Sequence, residues 1–371
     1  MHARITEEGL NALKAKIGQE TVRVTMPTFT VVSKDAARLY ALAIGDDNPL
    51  WLDPDYCASK GQDGILGPPS LLYAMNNVVA GAVEGLPGVH AMFAGTDWTW
   101  HEPLREGMQV STKMRLKSLV EHKTRFAGRA VQQIYTVDFY DQTGKHLASA
   151  DSWCFRTERD SAREEGDKYK EVKEPQYYTP EDMAKIAAEY RAEKRRGDVP
   201  LYFEDVKEGQ EINPLVKGPY TVTAAVAYMQ AWGSYAVRNH RIAFNYYDRH
   251  PKVGIPNKMG VPEPPVRVHW DNDFAREVGV PGAYDFGPER ISWVSHMLTD
   301  WIGDHGFLHK LNVQIRGHNL VGDTTRCRGV VSSKRIENGK GYVDCSVWCE
   351  NQRGQRTIVG SATVILPLRN A

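Results

Sequence analysis

No one sign of charge dominates this sequence. Lys and Arg together number 46, as do Asp and Glu, and the pI is about 7.2. That balance gives no electrostatic footprint for nucleic acid or for an anionic membrane surface, so neither is an expected partner. Long apolar runs are also missing, and no stretch approaches the length of a membrane span. The opening "MHARITEEGLNALKAKIG" mixes charge with apolar residues and lacks a signal core. Cysteine is scarce and odd in number: Cys57, Cys154, Cys327, Cys345 and Cys349. Such a set suits a reducing cytoplasm better than a disulfide framework. Cys345 and Cys349 lie four apart in a strand-like run and so face one side of a sheet. No second pair completes a tetrahedral metal site, which makes them packed thiols. A Gly-rich phosphate loop, a Ser-His-Asp order and "HExxH" are all absent. Nucleotide hydrolysis, serine hydrolysis and zinc proteolysis therefore lose support.

What is present is a repeat. At 371 residues the chain is long enough for two domains. Residues 98–155 run from "WTWHEPLREGMQVSTKMRL" to "GRAVQQIYTVDFYDQTGKHLASADSWCF" with the alternation of strands. Residues 313–367 follow the same order, from "VQIRGHNLVGDTTRCRGVV" to "GYVDCSVWCENQRGQRTIVGSATVILP". In both, "DQTGK" and "NQRGQ" read as hairpin turns with Gly at positive φ.

Two helical segments precede each strand set. Ser33 is the expected N-cap of "KDAARLYALAIG", with Ala36, Leu39, Tyr40 and Ala43 on one stripe. "TVTAAVAYMQAWGSYA" matches it in the second half. "PPSLLYAMNNVVAGAV" and "GPERISWVSHMLTDWIG" match each other, each with Pro at the start. A helix apolar nearly all round must be buried on most sides, so each half predicts an antiparallel sheet curved around one helix. Between the halves, "TERDSAREEGDKYKEVKEPQYY" is charged, and "TPEDMAKIAAEYRAEKRRG" reads as a solvated helix from Thr to Gly. The expected organisation is an N-terminal half over 1–157, a connector over 158–200 and a C-terminal half over 201–371.

Counting locates where the halves differ. Ser33 to Gly107 spans 74 residues, whereas Thr223 to Gly322 spans 99, which leaves about 25 extra residues in the second half. Trp51 to Gly107 and His269 to Gly322 span 56 and 53. The surplus therefore lies before His269, in "FNYYDRHPKVGIPNKMGVPEPP", which reads as an ordered loop over about 243–265 laid across a site. The same register sets Trp51 opposite His269 and Asp53 opposite Asp271. The first half has lost a titratable side chain that the second half keeps.

These residues resemble a known family. "AIGDDNPLWLD" is similar to the signature of MaoC-like (R)-specific enoyl-CoA hydratases and dehydratases: Asp, any residue, Asn-Pro, an aliphatic residue and His, then a later Asp. "HWDNDFAREVGVPGAYDFG", "MLTDWIGDHGFL" and "VGDTTRCRGVV" resemble the rest of that domain. The order resembles double-hotdog dehydratases with a FAS1-like dehydratase first half. The resemblance implies an α+β fold of two tandem hotdogs, each a curved antiparallel sheet around a long buried helix. It implies acid–base hydration of a trans-2-enoyl-CoA, or dehydration of a 3-hydroxyacyl-CoA, with the coenzyme A thioester as substrate and no cofactor. His suits a base near neutral pH, and a helix N-terminus suits the developing enolate oxygen.

Carried over residue by residue, Asp46, Asn48 and Pro49 match, but Trp51 replaces the His, and indole exchanges no proton at working pH. That half is left a substrate-covering or structural role. In the second half His269 and Asp271 match, while Pro264 stands five residues before His269 where the family has Asp. A variant signature of the family carries Asn and His-Arg-Ile, which "RNHRIAF" resembles. Asn239 or His240 would then return beside His269, or His240 merely begins its helix. Asp248, Glu263, Tyr284 and Asp285 are further candidates. Burial would raise the pKa of Asp285, although a helix cap is its simpler use. Gly287 would let a thioester carbonyl approach the helix start. His90, His101, His296, His305 and His309 have weaker claims. Arg105, Arg125, Arg129, Arg316 and Arg328 are candidates for coenzyme A phosphates or simply solvated. A hotdog thioesterase and an acyl-CoA-binding subunit of a heteromeric hydratase are the competing readings, and a homodimer or hetero-oligomer is expected.

Overall fold

The computed structural model describes residues 4–21, 27–76, 78, 86, 89–124, 128–157, 177–233, 237–251 and 253–369. Arg125, the charged stretch 158–176 and residues 77 and 79–85 lie outside these residues, and the long helix expected from Pro68 is within them only the turn Pro69–Leu71 and the helix Leu72–Met75, ended by an extended Asn76. One antiparallel sheet of nine strands organises the molecule. Its strands are β1 (His90–Trp100), β2 (Ser111–Thr124), β3 (Gly128–Tyr140), β4 (His146–Thr157), β5 (Glu211–Lys217), β6 (Phe307–Ile315), β7 (Thr325–Glu337), β8 (Lys340–Asn351) and β9 (Arg356–Leu366). The order across the sheet is β2-β3-β4-β1-β6-β9-β8-β7-β5. Burial alternates along β4 and β8, as a sheet with one face on a core requires. Gly144 and Gly354 take φ of 83° and 73° in the two hairpin turns, where the sequence places them.

The strand sets meet where β1 pairs with β6, from Thr99 opposite Lys310 to Gly95 opposite Gln314. A Cβ at Gly95 would stand 2.3 Å from the Trp153 ring and 2.4 Å from the Val313 carbonyl oxygen, so only Gly fits this seam.

The longer helices of the second half and its approaches, with the capped helix of the first, are α1 (Lys34–Ile44), α2 (Pro180–Ala192), α3 (Val222–Trp232), α4 (His240–Arg249) and α5 (Gly287–Ile302). Ser33 caps α1 through the Ala36 amide, and Gly45 ends it in the left-handed conformation. Its buried stripe is Ala36, Ala37, Tyr40, Ala41 and Ile44, while Leu39 is exposed. The stripe is rotated from expectation because α1 packs on α3, with Tyr40 edge-on to Tyr228 at 6.2 Å. Thr221 caps α3, through the Ala224 amide. Helix α2 starts at a Thr179 capping box and stops at Ala192, five residues before Gly197, because Glu193 turns away to accept the Val216 amide.

Every residue of α5 from Pro288 to Ile302 is buried, including Glu289, Arg290, His296 and Asp300. Such groups must find partners inside the protein. The insertion before His269 is less loop-like than its composition implies. Its first part continues α4 until Pro251 follows, and Ile255–Pro256 then pairs with Pro262–Glu263 as a small hairpin. All five cysteines are free and buried, with the Cys327 and Cys349 sulfurs 3.6 Å apart across β7 and β8.

Candidate active site

The aligned signatures fold alike. Asp53 Oδ1 accepts the Asp55 and Tyr56 amides and caps the short helix Pro54–Ser59. Asp271 Oδ1 accepts the Asp273 and Phe274 amides and caps Asn272–Glu277 in the same way. Asp271, expected as a site residue from its match to the family's later Asp, is thus engaged through Oδ1 as a helix cap. Two residues before each cap stand the side chains that differ, Trp51 and His269.

His269 ends the 3-10 turn Pro265–His269 and lies beside the start of α5. Its Nδ1 is 2.8 Å from the Tyr284 carbonyl oxygen. A carbonyl only accepts, so this contact assigns the proton to Nδ1 and leaves Nε2 with its lone pair. The ring lies 3.9 Å from that of Phe286 and edge-on to Tyr284. Burial among these rings lowers the imidazole pKa to about 4, although the Tyr284 and Asp285 carbonyls favour the charged form. The base is neutral at ordinary pH, with one nitrogen available to a proton.

The carboxylates expected beside it are otherwise engaged. Asp285 is fully buried and forms a bidentate pair with Arg290, with Nε to Oδ2 at 2.7 Å, and its Oδ2 also accepts from Asn319 at 3.1 Å. Burial pushes its pKa up while Arg290 pulls it back down. Asp285, left open by the sequence as an acid or a helix cap, is the partner of a guanidinium one turn into α5 and ties down the helix start, while Phe286 stands at the cap position. Glu263 reaches Asn257 and Arg267. Asn239 and His240 begin α4, both exposed and with His240 at φ 54°, and neither hydrogen-bonds to His269. Gly287 does admit a close approach, but by side chains: a Cβ there would meet Phe93 at 2.5 Å and Ile315 at 2.7 Å. Of the basic candidates, Arg129 pairs with Glu7 and Glu121, and Arg105 donates to Gln62.

The first-half signature has a different fate. Asp46 is buried, with one oxygen accepting the Asn48 amide and the other the Trp51 indole N–H at 2.9 Å. Asn48 caps the turn Pro49–Leu52. Behind Asp46 lies His296 of α5, whose Nε2 is 3.5 Å from Asp46 and 3.2 Å from Asp300. Lys217 closes the network, donating to the Ile44 and Gly45 carbonyls and to His296 Nδ1 at 2.9, 2.7 and 2.9 Å. Its ammonium thereby sits at the C-terminal end of α1, where the helix dipole favours a cation. Arg195 bridges Asp300 and Asp47 on the outer side. Burial lowers the His296 pKa to about 3 and raises that of Asp300 to about 6.

Among the described residues, Asp46, His296 and Asp300 are the group spaced to hold a metal ion. Lys217 argues against one. Its donated proton makes Nδ1 the acceptor and places the imidazole hydrogen on Nε2, the nitrogen that would have to ligate. The lysine is the resident cation. The space beside Trp51 is about 70 Å³, against about 740 Å³ in a groove next to Trp270. Sequence reasoning missed His296 as the contact behind Asp46, and Lys217, Arg195 and Asp300 as the groups that surround that histidine and Asp47. Only the charges on the otherwise apolar α5 hinted that such partners existed.

Residues 15–150 match the family described as the FAS1-like dehydratase domain region. A UPF0336 protein from Streptomyces avermitilis is 25% identical over 124 residues, 32% of this chain and 79% of that relative. A MaoC-like dehydratase of known structure superposes with a TM-score of 0.65 at 17% identity, over 96% of this chain and 99% of that one. A protein from Mycobacterium tuberculosis described as having a double hotdog fold gives 0.50 at 11% identity, over 92% and 96%. The likeness is one of architecture, and the nine-stranded α+β fold is a double hotdog.

Proposed function

We propose that this chain, a MaoC-like double hotdog with a FAS1-like dehydratase region, hydrates a trans-2-enoyl-CoA or runs the reverse dehydration of a 3-hydroxyacyl-CoA. The observation that carries the reading is the Nδ1 contact of His269 with the Tyr284 carbonyl, which leaves Nε2 as a neutral base at the start of α5. Nε2 takes a proton from water, and the water oxygen bonds to the β-carbon as the double-bond pair moves toward the thioester carbonyl. The α5 dipole favours the negative charge that develops on the thioester oxygen, and the α-carbon then takes up the proton from the imidazolium. With Asp271 and Asp285 engaged elsewhere, His269 serves as base and then as acid. Trp51 leaves the first half without such a base, so this chemistry belongs to the second half alone.

A second reading has its own support. The filled space in front of Gly287 and the missing carboxylate partner also suit an acyl-CoA-binding subunit that works beside another chain. An assay over a panel of trans-2-enoyl-CoA thioesters, following loss of the conjugated absorbance together with thiol release, separates them. Hydration without thiol release, reduced by at least about a hundredfold in His269→Ala, is the expected result. Binding without turnover until a partner chain is added would select the second reading, and thiol release would indicate a thioesterase. No described helix is long and apolar enough to cross a membrane.

A further inference from the structure

The Tyr284 carbonyl that anchors His269 belongs to a short extended lead into α5, and that lead lies against the turn between β6 and β7. Tyr284 pairs antiparallel with Leu320. On either side of that pair the Asp285 amide donates to the Asn319 carbonyl at 3.0 Å and the Val321 amide to the Ala283 carbonyl at 2.8 Å. Side chains join the same two segments a second time. Asn319 is fully buried, with its amide nitrogen 3.1 Å from Asp285 Oδ2 and its amide oxygen 2.6 Å from the Thr325 hydroxyl. Asp285, paired with the Arg290 guanidinium, is a carboxylate and only accepts. The Asn319 nitrogen must therefore face it, and Thr325 donates to the oxygen. Arg290 completes the clamp, reaching the Gly317 carbonyl at 2.8 Å while it holds Asp285.

The first half shares the backbone pairing without the ion pair. Its own lead, Leu66–Gly67, pairs antiparallel with Leu104–Arg105. Aligned on Gly67-Pro68 and Gly287-Pro288, Ile65 stands where the second half has Asp285, and Ser70 where it has Arg290. A lead of this kind thus forms without buried charges, whose desolvation is costly. The costly arrangement accompanies the half that keeps a histidine.

We propose that Asn319 is a positioning residue for His269: it holds residues 283–285 so that the Tyr284 carbonyl keeps the imidazole hydrogen on Nδ1. Its kinetic consequence rests on the hydratase reading, whereas the tautomer is a property of the free protein. Without a fixed acceptor the ring carries its hydrogen on Nε2 for part or all of the time, and the lone pair that would meet water is lost. Asn319 is neutral, so its removal leaves the buried ion pair intact, which removal of Asp285 or Arg290 would not.

The test is nitrogen-15 NMR of the full chain labelled at histidine, with His269→Gln identifying the signal. The parent is expected to show a neutral imidazole with its hydrogen on Nδ1. Asn319→Ala keeps the backbone carbonyl but should move the hydrogen toward Nε2. It should also lower kcat by about tenfold to a hundredfold with KM within about twofold, because a base acts only in the transition state. Thr325→Val should shift the tautomer in the same direction, and Thr325→Ser, which keeps the hydroxyl, should retain the parent form. That pair carries the test if Asn319→Ala does not fold. A parent with its hydrogen on Nε2, or an Nδ1–H signal unchanged in Asn319→Ala and Thr325→Val, overturns the proposal. A shifted tautomer in a protein whose hydration is absent or unaffected keeps the hold on the ring and removes His269 as the base.

Discussion

At the scale of single residues, the proposed function turns on the contrast between Trp51 and His269. Trp51 spends its N–H on Asp46, and the pair joins a charge network in which Lys217, His296, Asp300 and Arg195 satisfy one another. His269 instead keeps one nitrogen uncommitted and neutral. Its pKa is lowered, so the neutral form is fully present above the ordinary value of 6.5 and is lost only as pH falls through about 4. The acid limb of kcat/KM should therefore lie near pH 4. A profile from pH 4 to 8 checks this, and a limb near 6.5 would mean a solvated imidazole or a different base. The exchange of His for Trp was legible from counting, because the flanking spacings agree within three residues and both caps fold identically. The network behind Asp46 was not. Its members come from α1, β5, α5 and the segment after α2, and no local pattern links residues so far apart.

Among the elements, the inserted hairpin depends on one side chain. The Arg267 guanidinium reaches two adjacent carbonyls from separate nitrogens of one planar fork, a spread that the single nitrogen of a lysine does not reproduce. Arg267→Lys should lower the local stability of residues 255–263 by about 1.5–3 kcal/mol, the worth of hydrogen bonds to a charged donor. Hydrogen exchange measures it directly. Faster exchange confined to the hairpin and the following turn is expected, whereas an equal loss across the sheet would make Arg267 a general core residue. The helices illustrate the limits of pattern. Ser33, Thr179 and the Pro at the start of α5 marked true starts, because capping is local chemistry. The buried face of α1 was misjudged at Leu39, since what covers a helix is set by α3, nearly two hundred residues away in sequence. The insertion read as a loop from its Pro and Gly content, yet α4 occupies its first part.

For the molecule as a whole, the seam between β1 and β6 makes one cooperative body of two similar halves. Gly95→Val would drive a side chain into Trp153 and the Val313 carbonyl, a misfit of about 3 kcal/mol placed where the strand sets join. Scanning calorimetry is expected to show one transition for the parent chain and two for the variant. One transition at lower temperature would mean that the helices, and not the seam, hold the halves together. The seam also has a meaning for how such a protein can change. In an assembly of identical separate chains, every substitution is present in each copy, and closing one cleft closes all of them. Fused into a single polypeptide, the two units are released from that duplication. One could accept an indole and settle into support while its twin acquired a broad hairpin-walled recess, and neither alteration obliged the other.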